Sequence, residues 1–154
     1  MKKIYLAILV MLPLLFTSCL KSNLEEIQVY QEANITSIRG MYYYFDIETT
    51  HDGNVIFSKG DISRANVQID TEAGNIVIGK ATPAKANIAS FSPQKVVMMF
   101  NISTAATIEP IEGSAKLGVE ADWTVGKTNK YKVTAADGSS KVWSVTVLSL
   151  IHIS

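Results

Sequence analysis

Cysteine is almost absent: Cys19 is the single one among 154 residues. One thiol builds neither a disulfide framework nor a Cys-rich zinc module. Histidine is nearly as scarce, with only His51 and His152, which leaves little for imidazole metal ligation or acid–base work. A charge of one sign is lacking too, since 14 Lys and Arg balance 14 Asp and Glu. A nucleic-acid binder carries a basic excess, so no nucleic-acid partner is expected. Long hydrophobic runs are missing. The longest, Ile4 to Phe16, has 13 residues and contains Pro13, short of the ~20 that span a bilayer. No stretch between Asn34 and Val147 keeps a helical period, which excludes a helical bundle. The length suits one domain of about 100–150 residues.

What is present begins with a basic start, Lys2-Lys3, then the apolar run, then Thr17-Ser18-Cys19. That order marks residues 1–18 as a secretory signal peptide. Thr17-Ser18-Cys19 resembles the lipobox of bacterial lipoproteins, with Phe16 where a Leu is usual. The resemblance implies cleavage after Ser18 and lipidation of Cys19. Several acyl chains at about 0.8 kcal/mol per buried CH₂ hold a protein in a membrane durably. The membrane is thus the first expected partner, through an anchor and not a span. Losing residues 1–18 removes Lys2 and Lys3 and leaves two more acids than bases. Leu20 follows the cysteine instead of Asp, so the usual inner-membrane retention signal is missing. An outer-membrane, cell-surface location is the expectation, with residues 19–33 as the lipidated tether.

From Asn34 onward the signals are β. Ile35–Ile38, Tyr42–Ile47, Val55–Phe57, Val67–Asp70, Ile76–Ile78 and Val96–Ile102 are rich in β-branched and aromatic residues. Ser58–Ser63 reads as loop, and residues 79–94, with Pro83 and Pro93, as a looser connection. His51-Asp-Gly-Asn54 and Ala136-Asp-Gly-Ser-Ser140 read as turns, and Thr71–Asn75 as a hairpin loop around Gly74. In the last hairpin Tyr131, Val133 and Ala135 alternate with polar residues, as do Trp143, Val145 and Val147. Period two sends each set to one face, so Tyr131 and Trp143 are expected in the core. Short strands at regular spacing predict an all-β chain, an antiparallel β-sandwich over residues 34–147.

Residues 148–154, LSLIHIS, follow Val147 without stop or turn chemistry. They resemble the translated end of a transposase adapter, which implies a non-native tail and a natural chain that continues beyond Val147. Their alternation also suits continued strand.

Ala106-Thr-Ile-Glu-Pro110 with Gly113, then Tyr131-Lys-Val-Thr-Ala-Ala-Asp-Gly-Ser-Ser-Lys-Val-Trp-Ser-Val-Thr-Val147, resembles the Ig-like β-sandwich modules of Bacteroidota surface lipoproteins. These include domain-of-unknown-function lipoproteins and the N-terminal modules of carbohydrate-metabolism-domain proteins. The resemblance covers residues 33–147, with an aromatic insertion near 41–66. It implies a non-catalytic surface module that binds glycan, or spaces a further C-terminal domain, in polysaccharide utilisation. The alternative is a fimbria- or adhesion-type structural subunit. Outer-membrane proteins are possible partners under either reading, and no enzyme activity or cofactor is expected.

Tyr42-Tyr43-Tyr44 is the densest aromatic cluster. In a strand Tyr42 and Tyr44 share one face, where exposed rings would stack on sugar CH groups while Asp46 accepts hydroxyl hydrogen bonds. Packing within the sheet is the competing role. Trp123 is a further ligand candidate, with core or edge packing as its alternative. His51-Asp52 stands alone, without a matched Ser or Cys nucleophile motif. Asp52-Gly-Asn54 lacks the six or more oxygens of a calcium loop. No catalytic or metal residue is assigned.

The anchor gives the first prediction. Cys19→Ala should shift the chain from the membrane fraction to the soluble one or leave an unprocessed precursor. Palmitate labelling that persists in the variant would refute lipidation at Cys19.

Overall fold

A computed structural model describes residues 30–84 and 88–150, and residues 1–29, 85–87 and 151–154, with Cys19, lie outside it. The described chain forms eight strands: β1 (Ile35–Thr49), β2 (Val55–Asp70), β3 (Asn75–Pro83), β4 (Val96–Ile102), β5 (Thr107–Ile111), β6 (Glu120–Ala121), β7 (Thr128–Thr134) and β8 (Ser140–Val147). Two short 3-10 turns, Ile88–Ser90 and Pro93–Lys95, precede β4. No α-helix occurs among the described residues. The fold is all-β, as the alternation predicts.

The strands form one sheet in the order β5-β7-β8-β3-β2-β1-β4-β6. The sheet curls so that its halves face each other, with Phe100 of β4 meeting Tyr131 of β7 edge-on at 5.7 Å between centroids. β2 makes the turn. Its first half pairs with β1, from Val55↔Thr49 to Asp61↔Tyr42. Its second half pairs with β3, from Ile62↔Pro83 to Asp70↔Asn75.

The structure corrects three expectations. Residues 79–83 are strand and complete β3, and Ser58–Ser63 is strand, not loop. Gly60 is there because Tyr43 crosses it: a Cβ at 60 would sit 2.5 Å from the Tyr43 ring. The pairing is not wholly antiparallel, since β3 and β8 run parallel from Asn75↔Ser144 to Ile78↔Val147. Nor does strand pairing end at Val147. Leu148 N–H donates to the Ile78 carbonyl at 2.9 Å, Ala81 N–H donates to Ser149 at 2.8 Å, and Leu150 bridges Ala81. β3 reaches Pro83, so its free side offers partners past the end of β8.

The core is the inward set of each strand. Ile76, Ile78, Val145 and Val133 have no exposure. Tyr131 and Trp143 are directly opposite in the β7–β8 pair and fully buried. Their polar atoms are satisfied: Tyr131 Oη donates to the Ala115 carbonyl at 2.7 Å and Trp143 Nε1 to the Ala33 carbonyl at 3.0 Å. Burial pushes the Tyr131 phenol pKa well above its ordinary value. The turns at His51–Asn54 and Ala136–Ser140 form where expected, with Gly53 and Gly138 at positive φ.

Trp143→Ala should therefore cost about 3–5 kcal/mol, the range for a buried aromatic, and orphan the Ala33 carbonyl. Denaturant unfolding that gives a loss under about 1 kcal/mol would contradict this placement.

Candidate functional site

Alternation along β1 splits the tyrosine cluster. Met41 and Tyr43 point inward and are 1% exposed. Tyr43 packs edge-on against Phe91 at 5.3 Å, and its hydroxyl donates to the Ala84 carbonyl at 3.0 Å. Tyr42 and Tyr44 point outward, half-buried, with rings edge-to-face at 5.5 Å. The register brings more of this outer face together. Directly paired residues share a face, so Tyr42 aligns with Asp61 on one side and with Val97 on the other. Tyr44 aligns with Lys59, and two residues along β2 Phe57 meets Tyr44 edge-on at 4.5 Å. Lys59 Nζ stands 5.2 Å from the Tyr42 centroid, a cation–π distance. Val97 is fully buried although it lies outside the core cluster, and it is flanked in the register by Tyr42 and Glu120. The pKa of Tyr44 is raised, first by its hydrogen bond with Tyr42 and then by burial.

This face continues onto an arm. Only Tyr42 and Tyr43 of β1 are flanked by both β2 and β4. Beyond them β1 and β2 run as a two-stranded ribbon whose outer edges meet no described strand. Ile47, Val55, Ile56 and Phe57 are 63%, 56%, 57% and 52% exposed there. A register shift between Phe45 and Glu48 makes a bulge on the β1 side. Asp46 lies in that bulge, and its side chain is outside the described residues.

Trp123 does not join the site. It is 1% exposed, stacked on Tyr131 at 6.3 Å and edge-on to Phe100 at 6.5 Å. It sits in the core, on the opposite side of the sheet from Tyr42, and its backbone N–H donates to the Pro93 carbonyl at 2.8 Å. Its neighbour Asp122 accepts from Thr124 and from Lys127 at 2.9 Å, which holds its carboxyl at a pKa of about 2. That network is a loop clamp.

Sequence reading missed Phe57, Lys59 and Val97. Reading Ser58–Ser63 as a loop cut β2 short, whereas period two carried through it aligns Val55, Phe57, Lys59 and Asp61. His51 and Asp52 stand exposed at the arm's tip, 4.0 Å apart. No group of three or more His, Cys, Asp or Glu able to hold a metal occurs among the described residues. The outer face offers ring faces, an ammonium group and a carboxylate, which is chemistry for holding a ligand.

A family model described as DUF5018-related matches residues 35–146, from the first residue of β1 to the penultimate residue of β8. The chain belongs to the DUF5018-related family. It is also similar to a crystal structure of a presumed secreted protein from Bacteroides fragilis NCTC 9343, at 37% identity and a TM-score of 0.65 over 80% of this chain and 98% of that one. No curated protein matches it.

Proposed function

We propose that this DUF5018-related chain is a secreted, non-catalytic module of the bacterial cell surface, lipid-anchored at Cys19 in the outer membrane, that binds glycan on the outer face of β1 and β2. The observation that carries the reading is the outward alignment of Tyr42, Tyr44 and Phe57 at the root of a projecting arm. Contiguous exposed apolar surface marks interaction sites, and aromatic rings combine large contact area with little entropy to lose. Lys59 and Asp61 flank the rings and suit sugar hydroxyls. The presumed secretion of the Bacteroides fragilis relative supports the location, and the two facing sheet halves support an Ig-like sandwich.

A second reading, a structural subunit of a surface assembly, draws on the free edge of β2. The Asp61 carbonyl already accepts from Ala84 at 2.9 Å, but from Val55 to Lys59 no described strand pairs beyond β1. Such an edge invites a strand from another chain.

A glycan array with the purified chain tests the first reading. Tyr44→Ala and Phe57→Ala should each lower binding at least tenfold, with stability changed by no more than about 1 kcal/mol. Undiminished binding by both variants overturns it. Light scattering tests the second: a monomer across micromolar concentrations, alone and with outer-membrane extract, speaks against assembly.

A further inference from the structure

β1 and β2 part company at the Tyr42↔Asp61 pair. Beyond it β1 turns to β4 and β2 to β3. A hollow of about 300 Å³ opens where they diverge, walled by Arg39, Gly40 and Met41 on one side and Asp61, Ile62, Ser63 and Arg64 on the other. Met41 and Ile62 close it from beneath and are each 1% exposed, so the surface it presents is mostly polar. Its mouth is polar. Arg39 stands where the β1–β4 register slips between Ile38 and Gly40, and Arg64 is half-buried on β2.

These charges share one small hollow without neutralising each other. Neither arginine has a carboxylate within 4.0 Å among the described residues, and Asp61 forms no ion pair with them. Arg64 spends one N–H on the Ile62 carbonyl at 3.4 Å, and its remaining donors have no described partner. A guanidinium fork fits a carboxylate with two parallel hydrogen bonds. Asp61 opposes a multiply charged anion but accepts hydroxyls, and Ser63 adds a hydroxyl. A ligand meeting these demands carries one carboxylate and several hydroxyls. The volume is at the small end for ligand sites, the scale of one sugar ring. Tyr42 flanks the hollow through its pairing with Asp61.

We propose that this hollow is a subsite for a hexuronate unit, with Arg39 and Arg64 gripping its carboxylate and Asp61 and Ser63 its hydroxyls, while the neighbouring units of the glycan lie on Tyr42, Tyr44 and Phe57. The inference rests on the glycan-binding reading and names its ligand class.

Titration calorimetry with an oligogalacturonate and a neutral oligogalactoside of equal length separates the two. The chain should bind the uronate at least tenfold tighter. The Arg39→Gln/Arg64→Gln double variant should lose that preference and keep its affinity for the neutral sugar. Tyr44→Ala should weaken both sugars alike. Binding of the neutral sugar with no uronate preference, or a preference that survives in the double variant, overturns the subsite and leaves the glycan reading standing. Binding of neither sugar overturns the subsite, and the glycan array then decides the wider reading. Inorganic phosphate competing as well as the uronate would reduce the hollow to a general anion site and overturn the sugar assignment.

Discussion

The Tyr43 ring occupies the space that a side chain at residue 60 would need. A Cβ there would lie 2.5 Å from Cζ and 2.6 Å from Cε1 of that ring, closer than packed carbon atoms approach. The fit between one large ring and one bare backbone position lets β2 cross from one half of the sheet to the other without opening the core. Tyr43 fills the corner, anchors it to the Ala84 carbonyl, and leans on Phe91 and Phe45. On one side of the crossing lies the body, with its buried Tyr131–Trp143 pair. On the other lies the arm. The hollow lined by Arg39 and Arg64 lies at the crossing itself. Body, arm and hollow all follow from where β1 and β2 join and where they separate.

The free edges show how the fold protects itself and where it does not. β5 carries Pro110, which has no N–H to offer. β6 is two residues long. β1 slips register near Thr36 and Arg39 and again after Phe45. β2 keeps its register with β3 through Asn66, a non-glycine residue at positive φ whose Cβ lies against Gly79. Short strands, proline and bulges are the usual means of blunting an edge. The stretch from Val55 to Lys59 has none of these except one lysine, and it is also the most apolar exposed part of the arm.

How much of this was legible in the residues depends on which force dominates locally. The last hairpin was readable because burial and alternation agree there: every odd residue from Tyr131 to Ala135 is apolar and buried. The outward placement of Tyr42 and Tyr44 followed from the same period. Trp123 was half readable: core or edge packing was one of its two readings, but Asp122 and Thr124 beside it give no alternation to decide, and the ring's partners Tyr131 and Phe100 come from the two facing halves of the sheet. Ser58–Ser63 misled for a related reason. Gly60 and Asp61 look like turn residues, yet the glycine answers to a ring 17 positions away. The parallel β3–β8 pairing is a property of the closed sheet and has no local signature.

A two-stranded ribbon is marginal in water by itself, so the arm needs a source of order. At its root the outer face supplies one: Tyr42 pairs beside the buried Val97, Tyr44 and Phe57 meet edge to face, and Lys59 stands over Tyr42. Toward the tip these contacts run out. From His51 to Lys59 every residue is exposed, on both faces of the ribbon. Such a segment contributes little to folding and carries its own cost in exposed apolar area, so its stability depends on the aromatic root. A ligand resting on Tyr42, Tyr44 and Phe57 would cover that same root. On the glycan-binding proposal, occupancy and order in the arm would thereby be coupled, since a ligand on the rings would also stiffen the ribbon that holds them.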